Sequence, residues 1–123
     1  MNNSDDISIL IDIKKGRIRI HKNTLHALGD PEYINLVINP HKLTIGILVS
    51  SANDQQSHKI KTSIMRSKLC MELYSHSLIT QILSICPDWL EGSGYRITGR
   101  LSPQKDGAFF DMCNAIRINA WRK

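Results

Sequence analysis

The 123-residue sequence is short of several things, and each shortage removes a class of protein. Aromatic residues make up 6%, too few for a platform that stacks the bases of a single-stranded nucleic acid. The cysteines, Cys70, Cys86 and Cys113, are odd in number and widely spaced. A disulfide framework is therefore not expected; a reducing, cytoplasmic setting is, with all three thiols read as small buried hydrophobes. Neither these cysteines nor the five histidines reach metal-ligand spacing, so no metal or other cofactor is expected. No apolar run approaches the roughly 20 residues that cross a bilayer, which argues against a membrane partner. The start, MNNSDD, is polar and acidic where a secretory signal is basic and then apolar.

Catalytic constellations are also missing. His76 sits between Ser75 and Ser77, but adjacent residues rarely form a nucleophile–base pair, and helix capping accounts for both serines. Asp88 with Glu91, and Asp106 with Asp111, lack the arrangement of a paired-carboxylate site. The glycines of EGSGY precede a strand pattern, whereas a phosphate loop opens a helix. The chain is read as non-enzymatic.

Acidic charge is the last shortage. Sixteen Lys and Arg against 11 Asp and Glu leave a net charge of +5. Such an excess permits attraction to a polyanion without requiring it.

What the sequence does contain is β pattern. ISILIDI at 7–13 is β-branched and apolar, like a buried strand, and Gly16 turns the chain after Lys14-Lys15. In RIRIH, Ile18 and Ile20 point one way and Arg17, Arg19 and His21 the other. Asn23 is placed to cap a helix of about two turns that ends at Gly29. YINLVIN and LTIGILVS flank an Asn39-Pro40-His41-Lys42 turn and read as a hairpin. Residues 50–58 read as a loop.

A second half then follows the same order. KLCMELYS is a strand candidate, Ser75 or Ser77 caps LITQILSIC, and YRITGRL with AFFDMC forms another hairpin. Tyr33 matches Tyr95, and NPHK at 39–42 matches SPQK at 102–105. The expected fold is α+β: a small, mostly antiparallel β-barrel or interleaved sheets from a tandem β-α-β-β duplication, with two short helices. The length suits one domain, 1–123, with units at about 7–51 and 68–115 interlocked around one core.

Residues 7–51 resemble the AbrB/MazE/SpoVT superfamily of swapped-hairpin regulators. The matching features are a leading strand, Gly16-Arg17 opening RIRI, Lys22, a short helix ending Leu28-Gly29, and a final hairpin. The resemblance implies a barrel of interlaced hairpins. Two units in one chain would make it a monomer with an internal pseudo-twofold; a homodimer is the other arrangement. It also implies DNA binding, with Arg17 at the turn arginine and Lys14 and Lys15 in the same loop. The chain departs from the pattern at Leu10 and Ile11 on the leading strand, at Leu25 and His26 on the helix, and at His21, where a proline is common. It is also similar to short proteins of gut bacteria.

The expected partner is double-stranded DNA, its phosphates held by Arg17 and Arg19 at the centre and by Lys14, Lys15 and Lys22 at the rim. Further cations lie at Lys59, Lys61, Arg66 and Lys68, at Arg96 and Arg100, and at Arg117, Arg122 and Lys123. Two other readings stay open. Outward cations also serve only to keep strand surfaces soluble and edges unpaired. The alternative function is that of a protein-binding adaptor or inhibitor, such as an anti-defence protein of a phage or mobile element, offering its strand edges.

Overall fold

Isoleucine spacing sets the architecture. Ile7, Ile9 and Ile11 on one strand, Ile18 and Ile20 on the next, and Ile45 and Ile47 further along are all essentially inaccessible to solvent. Residues at i and i+2 share one face of a strand, so these positions form one continuous apolar sheet face. The computed structural model describes residues 7–60 and 70–118. Its strands are β1 (Ile7–Asp12), β2 (Arg17–His21), β3 (Tyr33–Asn39), β4 (Thr44–Val49), β5 (His58–Lys59), β6 (Cys70–Tyr74), β7 (Gly94–Leu101), β8 (Gly107–Asp111) and β9 (Ile116–Ile118). Among the described residues two helices, α1 (Lys22–Ala27) and α2 (His76–Ile85), follow β2 and β6.

The fold is α+β: a nine-stranded antiparallel sheet, curled into a half-barrel, in the order β5-β3-β4-β8-β7-β1-β2-β6, with β9 also on β7. The helices differ in length, α1 with six residues and α2 with ten, so only α1 is short in the expected sense.

The order strand–helix–strand–strand occurs twice, as β2-α1-β3-β4 and as β6-α2-β7-β8. The two runs exchange neighbours. β4 pairs with β8 about Gly46↔Phe109, β2 pairs with β6 about Arg19↔Glu72, and β1 of the first half lies between β2 and β7. β5 of the second half adds to β3 as β1 adds to β7. Among the described residues β5 and β6 do not pair with each other, which leaves the sheet curled and not closed.

Local chemistry explains several details. His21 caps α1, its Nδ1 accepting from the Asn23 N–H at 3.0 Å, where Asn23 itself was the expected cap. Thr24, fully buried, ties α1 to β1: its Oγ1 accepts from Ser8 N and donates to Ser8 O. Ser75 caps α2 by accepting from Leu78 N. Asn39 Oδ1 accepts from His41 N and Lys42 N, which makes the β3–β4 turn. His58 opens β5, so the expected loop ends one residue earlier.

β8 and β9 follow the same edge of β7, interrupted by the Met112–Asn114 turn. Between Gly99↔Phe110 and Arg96↔Ile116, β7 advances three residues and its partner six. The thiols correct the expectation made for them: Cys86 is buried, Cys70 half-buried and Cys113 exposed. Tyr95 is buried and stacked on Trp89, whereas Phe109 is 38% exposed. Phe109 lies on the outer face, over Gly46 and Gly107, and covers backbone that has no side chain of its own.

Candidate nucleic-acid interface

Strand alternation puts Arg17, Arg19 and His21 on the outer face, opposite Ile18 and Ile20. Cross-strand register then decides what lies beside each. One row runs Ile116, Arg96, Leu10, Arg19, Glu72 across β9, β7, β1, β2 and β6. A second row runs Gly94, Asp12, Arg17, Tyr74. His21 faces Cys70 at the α1 end of β2.

Arg17 is committed within the fold. Its Nε donates to Asp12 Oδ2 at 2.9 Å and its Nη1 to Glu72 Oε2 at 2.9 Å, and its side chain is 12% exposed. Asp12, buried to 2%, also accepts from Lys15 N through Oδ1. Burial works against the Arg17 charge. The hydrogen bonds to Asp12 and Tyr74 and the charges of Glu72 and Asp12 outweigh it, so the guanidinium holds its proton more tightly than usual.

Arg19 is placed differently. Its Nε is 3.3 Å from Glu72 Oε2, close enough for an ion pair, yet off the line that a hydrogen bond needs. That nitrogen is buried and has no hydrogen-bond partner, while the side chain as a whole is 33% exposed. Glu72 is otherwise occupied, with Oε2 held by Arg17 and Oε1 approached by the Tyr74 hydroxyl at 3.4 Å.

Arg96 shares the row with Arg19, one on each side of Leu10. Two strand spacings, about 10 Å, separate their backbones, within reach of two long side chains sharing one ligand. Ser8, Leu10, Arg19, His21, Cys70 and Arg96 line a depression of about 240 Å³ between them. His21 caps α1 through Nδ1, so that atom carries no proton and the ring's N–H is Nε2.

The remaining expected contacts are dispersed around this region. Lys14 and Lys15 are exposed in the β1–β2 turn, at the Arg17 end of the strand. Lys22 is half-buried at the first position of α1, at the His21 end. Arg100 is exposed on the outer face two residues from Thr98 and opposite Phe109. Lys61, Arg66, Lys68, Arg122 and Lys123 lie outside the described residues.

Two features escaped the reading of the sequence. Glu72 was unremarked, although the alternation of Met71 and Leu73 inward places it outward. Arg96 was seen only as a neighbour of Arg100, because nothing in one sequence says that β7 runs beside β1 and not beside β2. Among the described residues, no group of three or more His, Cys, Asp or Glu is gathered to hold a metal, and no helix is long and apolar enough to cross a membrane. The chain matches no protein-family model, no curated protein and no solved structure.

Proposed function

We propose that the protein binds the phosphate backbone of double-stranded DNA through the outer face of β6-β2-β1-β7, without catalysis, as a small regulator. The observation that carries the reading is the row in which Arg19 and Arg96 flank Leu10, with His21 beside it. Lys14, Lys15 and Lys22 stand around that row and add long-range attraction. Arg17 has a different role from the central contact first assigned to it: paired with Asp12 and Glu72, it holds the strands that present Arg19. Phosphate contacts of this kind fix position on a duplex and leave sequence preference to few side chains or to DNA shape.

The test is fluorescence anisotropy on a mixed-sequence duplex of about two helical turns, over a series of salt concentrations. The reading expects a log–log salt slope of about −3 to −5, and a loss of about 2 from its magnitude when Arg19 and Arg96 are both changed to Glu. Absence of binding at low salt, or a slope untouched by the double substitution, defeats it.

One observation favours a second reading, a protein-binding adaptor. Val37 and Phe109, each 38% exposed, lie on the outer face around Gly46, away from the arginine row. A protein partner retained from a nuclease-treated lysate and lost with Phe109→Ser would support that reading. Retention unaffected by the substitution would count against this patch.

A further inference from the structure

We propose that the depression between Arg19 and Arg96 is a discrete seat for one tetrahedral oxyanion of the phosphate type. The proposal deepens the nucleic-acid reading by naming which group is held and by which atoms. Four observations converge on it. The depression is of a size for a small group, about 240 Å³. Two guanidiniums line it from opposite sides, one on β2 and one on β7, with Leu10 as an apolar floor between them. Arg19 keeps 33% of its side chain exposed while its Nε is buried beside Glu72, so the rest of the guanidinium is what a bound oxyanion meets. Capping of α1 through Nδ1 leaves the His21 Nε2–H as a further donor at the same depression.

Charge bookkeeping on the row points the same way. Glu72 is the carboxylate beside Arg19, and its oxygens already face Arg17 and Tyr74. Arg96 stands opposite Leu10 and Ile116, neither of which can neutralise it. An oxyanion with several lone pairs can take donors from both guanidiniums at once, and charge-assisted bonds of that kind are the strong ones. Shape also contributes: a planar fork on each side suits a tetrahedral group better than two flexible ammonium groups would.

A backbone phosphate and free inorganic phosphate offer the same chemistry. The experiment therefore titrates the isotope-labelled full chain first with sodium phosphate at constant ionic strength, using chloride as the control, and then with the duplex. Both titrations follow the Nε–H signals of Arg19 and Arg96 and the His21 ring by NMR. Saturable shifts at Arg19 Nε with phosphate and not with chloride are expected. Arg96→Ala should weaken the response about tenfold or more, Arg96→Lys should restore it only in part, and Lys42→Ala in the exposed β3–β4 turn should leave it unchanged.

If the duplex moves these signals and free phosphate does not, the seat stands and its source is the nucleic-acid backbone. If free phosphate saturates the seat and no duplex binds, the seat stands and the nucleic-acid reading falls. If neither moves Arg19 Nε, or Arg96→Ala changes nothing, the seat is overturned. A duplex still bound by that chain would then be held elsewhere.

Discussion

Arg19 and Glu72 oppose each other at the centre of the β2–β6 pair, and the carboxylate oxygen nearest Arg19 is the one that accepts from Arg17 at 2.9 Å. One oxygen therefore serves two guanidiniums from the same strand. An outside anion at Arg19 meets the field of a carboxylate that is already engaged. Glu72→Gln removes that field and keeps a side chain of the same shape. Duplex affinity at low salt should rise about threefold to tenfold, and the gain should shrink as salt screens it. Anisotropy at two ionic strengths checks this, and an unchanged affinity would separate Glu72 from the binding face.

Asp12 makes the opposite case, a carboxylate buried to 2% whose ionic partner is Arg17. Arg17→Ala leaves that carboxylate without its cation and should cost about 3–5 kcal/mol of stability. Urea denaturation measures the loss. Pairing the change with Asp12→Asn should recover a large part of it, because the stranded charge goes while an oxygen remains to accept from Lys15 N. A single variant as stable as the parent would show that the pair adds nothing to folding.

Gly99 lies opposite Phe110 at the β7–β8 crossing, and a Cβ there would collide with the Phe110 ring and the Phe109 carbonyl. Backbone cannot step aside as a flexible side chain can. Gly99→Ala should lower stability by about 1–3 kcal/mol, whereas Gly92→Ala, with open space around it, should change little. Paired thermal melts decide between them.

Asp54 organises the 50–57 loop. Its carboxylate accepts from Gln56 N at 2.9 Å, Ser50 Oγ at 3.0 Å and Asn35 Nδ2 at 3.1 Å. The backbone bond from Gln56, then that from Ser50 and with them that from Asn35, hold its pKa below the ordinary aspartate range against the opposing effect of desolvation. A depressed carboxylate contributes its order above the unfolded-state pKa and loses it as pH falls through the folded-state value. The Gln56 amide and Asn35 side-chain NMR signals should therefore titrate together, with a midpoint below that of an unstructured aspartate. Asp54→Asn should abolish the titration.

Period-two alternation made much of the sheet legible in the sequence. Ile18 and Ile20 point inward and Arg17, Arg19 and His21 outward, as the alternation requires, and Pro87 follows Cys86, the C-cap of α2. The doubled strand–helix–strand–strand order was visible too, through Tyr33 and Tyr95 and the two proline turns. Partnership between strands was not. That β2 lies beside β6, so that Glu72 meets both arginines, depends on contacts between residues more than 50 positions apart. No local pattern encodes such a pairing. His21 displaced Asn23 as the cap for a similar reason: an imidazole nitrogen can accept as a hydroxyl does, which residue preferences at helix ends understate.

The position of β1 has a consequence for how the chain is made. Its strand is flanked by β2, which follows at once, and by β7, whose Gly99 pairs with Ile7. On a ribosome the first of these neighbours emerges within moments and the second only after α1, the β3–β4 hairpin and α2 have followed. A ribbon of isoleucines must wait in water for its other side, exposed to stray strands until β7 and β8 arrive. Any cellular factor that shelters nascent chains would find its longest task at Ile7, Ile9 and Ile11.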